Sequence, residues 1–98
     1  MALVTRVRFT ALLESLTHGR STYLVIRVPA DESDLIDDLP VLRVGFQGVR
    51  VEATIGQTTW RTTVFPDKTG FLLLVARKRA TAETLTVGDP VDVTLTVL

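Results

Sequence analysis

A chain of 98 residues, 46% of them apolar, has room for one packed domain and none for a second; at this size folding buries roughly 65% of the surface the unfolded chain exposes. Eleven basic and eleven acidic residues cancel, so no global field draws in polyanions and any electrostatic partner must be held by a local patch. The absence of cysteine excludes a disulfide framework, a thiolate nucleophile and a Cys-ligated zinc, and it fits a reducing, cytoplasmic setting.

The N-terminal segment MALVTRVRFTALLES begins like a signal peptide, but Arg6 and Arg8 interrupt any apolar core and no small-residue cleavage site follows. From Val7 the pattern changes to alternation: Val7, Phe9, Ala11 and Leu13 form one face of a predicted strand, and Leu24, Ile26 and Val28 form one face of the next. Residues 17–21, with Gly19 and the chain's one histidine, His18, are expected to join them as an exposed loop. A lone histidine without further ligands or a positioned nucleophile makes neither a metal site nor a hydrolytic triad.

A short helix is expected next, capped by Asp31 or Ser33, with Glu32 and Asp34 complementing its dipole, Leu35, Ile36 and Leu39 pointing inward, and Pro40 ending it. Its carboxylates, Asp31, Glu32, Asp34, Asp37 and Asp38, lack the alternating ligands and central Gly of a calcium loop, so they are read as a solvated face. Gly45-Phe46-Gln47-Gly48 lacks a third Gly, a Gly-Lys-Ser/Thr ending and a following helix, and is read as a turn.

The clearest strand is 49–55, where Val49, Val51, Ala53 and Ile55 alternate with Arg50, Glu52 and Thr54. The Gly56-Gln57 turn ties it to a strand whose inward set is Trp60, Thr62 and Val64, and Pro66, which has no N–H, is expected to end that strand. Residues 65–71 then form a hairpin turn; Asp-Lys-Thr-Gly has neither the glycines nor the helix N-terminus of a phosphate cradle. Phe71 to Ala76, apolar at every position, is read as a strand covered on both faces, and as the longest apolar run it is far short of the ~20 residues a membrane helix needs. A short helix over 77–84, the Gly88-Asp89 turn and the alternating strand Val91 to Val97 complete the chain. In that turn Gly88 is expected to supply a positive φ and the Asp89 side chain to bond nearby amides. The predicted fold class is all-β: one domain over 1–98, a closed or partly open barrel of roughly six strands with one or two short helices, since closure removes exposed edges.

The chemistry-bearing candidates lie in the second half. Arg77, Lys78 and Arg79 form a basic run that Arg43, Arg50 or Arg61 could join in space, and Arg outnumbers Lys nine to two, which favours bidentate anion contact. Zero net charge and the lack of an RRM, KH or helix-turn-helix pattern weigh against nucleic acid as the partner. Trp60 beside Arg61 is read first as a core aromatic. No catalytic residues, metal ligands or cofactor motif emerge, so the sequence points to a binding or interaction module; its partner is not specified, a protein partner or homodimer being possible. Its rivals are a nucleic-acid module using Arg77 to Arg79, and a small-ligand binder or enzyme with a pocket at the barrel mouth near Trp60, Arg61 and Asp89.

From Phe46 onward the order is specific: a Gly, VRVEATI, a tight turn, WRTTVF, Pro66, a Gly-containing turn, an apolar strand ending in Val75, basic residues, and GDPVDVTL. This order resembles the bacterial domain-of-unknown-function family nineteen-oh-five, and VIRVP running into an acidic short helix extends the likeness to the N-terminal half. Leu74 stands where that family often has Pro, and Thr63 where Ser is common. The resemblance implies a compact β-barrel domain, found in that family also joined to a YdeI-like, OmpD-associated domain, and it brings no catalytic residues to transfer.

Overall fold

In a computed structural model, which describes residues 5–98, six strands and two short helices follow one another as β1 (Arg6–His18), β2 (Ser21–Arg27), α1 (Ala30–Asp37), β3 (Val49–Ile55), β4 (Thr58–Asp67), β5 (Gly70–Val75), α2 (Arg77–Ala82) and β6 (Pro90–Val97), with a single 3-10 turn at Gly45–Gln47. Residues 1–4, the start of the segment weighed as a signal peptide, lie outside the described residues. The strands close into an antiparallel barrel in the order β1-β2-β5-β4-β3-β6. The expected all-β barrel is therefore the fold.

Two long strands turn the barrel's corners. β1 pairs with β6 from Arg6 to Leu12 and with β2 from Leu13 to His18; β4 pairs with β3 from Thr58 to Val64 and with β5 only from Phe65 to Asp67. Each change of partner opens a split beside the strand, and a helix lies near each. At the first, α1 packs against β1 and β5, with Ile36 wholly buried in the core. At the second, α2 follows β5 directly and contributes Ala80. The inward positions of the strands, among them Phe9, Leu13, Ile26, Val51, Ala53, Trp60, Val64, Leu73, Val93 and Leu95, form one continuous core, as period-two alternation requires.

Several local expectations are corrected. Neither Asp31 nor Ser33 caps α1, which starts after Pro29 with no side-chain cap. Ser33 is instead buried inside the helix; its hydroxyl donates to the Val28 carbonyl (3.0 Å) and accepts the Phe71 N–H (3.1 Å), joining α1 to the ends of β2 and β5. Leu35 points to solvent, because Ile36 takes the inward position on a helix this short. The connection after β1 is only Gly19-Arg20, so His18 is the exposed last residue of a strand, not a loop residue. Pro66 does not end β4: its peptide edge faces the β3 side, where β3 has already finished opposite Val64, so no ladder bond is lost there.

Candidate functional site

The ladder between β4 and β5 stops at Phe65 and Leu72. Beyond it, Thr58 to Val64 bond only to β3, and Leu73 to Val75 only to β2. The two-residue turn Gly56-Gln57 makes Ile55 and Thr58 the closing hydrogen-bonded pair, so Thr58, Trp60, Thr62 and Val64 direct their peptide groups to β3. The peptide groups of Arg61 and Thr63 therefore face the split. On the far side, Phe71 accepts a bond from Val28 on the β2 side (2.9 Å), and the same alternation turns the peptide groups of Leu72 and Leu74 toward β4.

In this split lies a groove of about 320 Å³, lined by Tyr23, Trp60, Arg61, Leu74, Ala76 and Arg79 among others. Trp60 is an inward residue of β4 and only 9% exposed. Over its ring sits the Arg79 guanidinium, 5.0 Å from the centroid. Arg79 gets there because α2 begins one residue after β5 and its third residue turns back over the barrel end. Ala80 beside it is too small to fill the split as Ile36 fills the other. The Arg61 side chain extends into solvent, its nearest carboxylate oxygen, on Glu52, being 4.0 Å away. Among the described residues no acidic side chain lines the groove, so its charge there is that of two guanidinium groups.

Outside the groove, the face of β1, β2 and β5 that points away from the core carries Leu16, Tyr23, Val25 and Leu74, bordered by the Glu14–Arg27 ion pair. Leu16 pairs with Tyr23, and Val25 with Leu74; Val25 is buried on this outer face, whereas Tyr23 and Leu74 are 44% and 40% exposed. This corrects the reading of Phe71 to Ala76 as a strand covered on both sides: Leu74, on its outer face, is 40% exposed. A run of apolar residues looks the same in sequence whether its second face is covered or left open.

The sequence candidates are thus divided. Trp60, Arg61 and Arg79 meet in one groove, whereas Arg77 and Lys78 stand exposed outside its lining. Arg43 and Arg50 do not join them: Arg43 is held by the Asp37 carboxylate (2.8 Å) and the Gln47 carbonyl (3.0 Å) and lies over Phe71, and Arg50 borders an apolar hollow with Leu42 and Leu98. Asp89 is absent from the groove lining, so a pocket shared by Trp60, Arg61 and Asp89 does not form. Gly88 does adopt a positive φ, +95°. The turn's bonds, however, come from the backbone: Gly88 N–H donates to the Leu13 carbonyl (2.8 Å), and the Asp89 carbonyl accepts from Leu13 N–H (3.0 Å), extending the β1–β6 ladder.

Three features escaped the sequence. Glu83 accepts bonds from Gln57 N–H and the Thr58 hydroxyl (2.7 Å), tying the end of α2 to the β3–β4 turn. Arg27 joins Glu14 (3.2 Å) to Asp67 (2.7 Å) across three strands. Phe46, 91% exposed, holds a left-handed conformation at φ 58°. Each depends on strand order or backbone geometry, for which spacing along the chain carries no signal.

No curated protein and no solved structure matches the chain. One family model does, and it spans residues 9–95, nearly the whole barrel. The chain belongs to the family described as Domain of unknown function (DUF1905).

Proposed function

We propose that this barrel is a non-catalytic binding module whose ligand site is the β4–β5 groove, and that the ligand joins an anionic group to an apolar body. The single observation that carries the reading is the composition of the groove: Arg61 and Arg79 with no carboxylate between them, over an indole and beside Tyr23 and Leu74. Guanidinium groups bind carboxylates and phosphates through paired N–H donors, while an aromatic and aliphatic wall favours the apolar remainder. The Arg79 guanidinium is partly buried against the Trp60 ring and, among the described residues, pairs with no carboxylate, which leaves its N–H donors to a ligand. The barrel supplies rigidity, since Trp60 and Arg61 are fixed by the β3 ladder on one side.

The test uses Trp60 as reporter, since it is the chain's one tryptophan. Emission is followed while octanoate, benzoate, phenyl phosphate and inorganic phosphate are titrated into the native chain and into Arg61→Ala/Arg79→Ala. Saturable responses to the anions with apolar bodies, weakened at least tenfold in the double variant, are expected. Responses unchanged in that variant, or none from any probe, would overturn the reading.

A further inference from the structure

The geometry points to an extended peptide segment as the occupant of this groove, one that carries an Asp or Glu among apolar residues and pairs as an added strand with the free edge of β4. The inference rests on the binding-module reading above and names its partner.

Two independent observations carry it beyond a small anion. The first is the backbone. Past Phe65 and Leu72 the peptide groups of Arg61 and Thr63 face the split without a β5 register partner. An unpaired strand edge offers alternating N–H and C=O groups, which an extended peptide matches and a compact anion does not. Natural barrels normally remove such edges by closure or by covering them; α2, six residues long, covers this one at its Thr58 end through Glu83 and brings Arg79 and Ala80 beside Trp60.

The second is the surface beyond the groove. An apolar strip of Leu74, Val25, Tyr23 and Leu16 continues from the groove wall across β5, β2 and β1, edged by Glu14, which is paired with Arg27. Side chains of an added strand project alternately to its two faces, so one set would reach this apolar strip while the strand's backbone lies along β4. The charge of the site selects the segment: Arg61 and Arg79 flank the path and no carboxylate lines it, so an acidic side chain is favoured and a basic one repelled. Thr62, which also borders the groove, adds a hydroxyl and no charge. Affinity would come from main-chain bonds and the apolar strip, and selection from the guanidiniums.

The experiment selects binders from a displayed library of random octapeptides with the full chain. The most enriched peptide is then synthesised in three forms: unmodified, and N-methylated at alternate residues in each of the two frames. N-methylation removes amide donors without touching the protein, so the test does not depend on a variant folding. Expected are enriched sequences with Asp or Glu among apolar residues, an affinity lowered at least tenfold by methylation in one frame and much less in the other, and loss of binding in Arg61→Ala/Arg79→Ala. Equal affinity of all three forms would overturn strand pairing while leaving the anion-binding groove intact. Enrichment of no peptide, with small anions still bound, would overturn the peptide and leave the module. Failure of peptides and small anions alike would end both readings.

Discussion

The Arg79 guanidinium lies 5.0 Å from the centroid of the Trp60 ring, so the first basic helix after β5 is locked onto the inward face of β4 by a cation–π contact. A partly desolvated contact of this kind contributes about 1 kcal/mol. Arg79→Ala is expected to lower stability by that amount and to shift Trp60 emission to the red, with greater acrylamide quenching. Arg77→Ala and Lys78→Ala, on the exposed side of α2, are expected to leave emission and melting unchanged. Chemical denaturation followed at the single tryptophan checks both.

The Ser33 hydroxyl bridges the Val28 carbonyl and the Phe71 N–H in a buried position. Ser33→Ala leaves both backbone groups without that partner, and a buried polar group left unsatisfied costs about 1–3 kcal/mol. A loss of about 2 kcal/mol is expected in urea unfolding. Gly70→Ala should be at least as damaging, because φ is +136° there and a methyl group would run into Ser33.

Phe46 is a large apolar side chain that is both exposed and left-handed, as are the polar Gln47 and Thr84. A side chain in that region costs roughly 1–2 kcal/mol, and none of the core is built on it. Phe46→Gly is expected to leave stability unchanged or raise it by up to about 1 kcal/mol, as thermal melting would show, whereas most aromatic-to-glycine changes in a barrel this small would unfold it.

Asp67 gives the fold an acid dependence. Burial alone would raise its pKa, but the N–H and hydroxyl of Thr69, followed by Arg27, outweigh this and hold it below the ordinary carboxylate value; Arg27 is raised in turn, chiefly by its hydrogen bond to Asp67, and stays charged. A carboxylate whose folded pKa is depressed contributes stability that is complete above its unfolded pKa, near 4, and disappears as pH falls through the folded value. The native chain should therefore melt higher than Asp67→Asn at pH 7, by less than about 1 kcal/mol because the pair is partly exposed. As pH falls through the depressed folded value the two melting curves should converge.

What the sequence made legible follows the physics of alternation. Strands with one wet and one dry face, such as Val49 to Ile55 and Val91 to Val97, show themselves directly, and the residues read as inward there are buried. Phe71 to Ala76 misled because hydrophobicity alone does not tell a covered face from an open apolar one, and Leu74 lies on the open one. Ser33 misled because a cap and a buried tertiary bridge need the same hydroxyl. At the candidate site, Trp60, Arg61 and Arg79 were visible as residue types. Their meeting with Tyr23 and Leu74 was not, since it requires β5 to lie between β2 and β4, an order that sequence spacing does not encode.

The most direct test of the central claim is a map of amide shifts on the isotopically labelled native chain while the strongest of the small anionic probes is titrated in. The account predicts that the largest shifts fall on Tyr23, Arg61, Thr62, Leu74 and Arg79, with Trp60 indole N–H moving in step, and that Arg77, Lys78 and the Phe46 turn stay still. Shifts centred on Arg77 and Lys78, or on the hollow beside Leu42 and Arg50, with the groove unmoved, would contradict it.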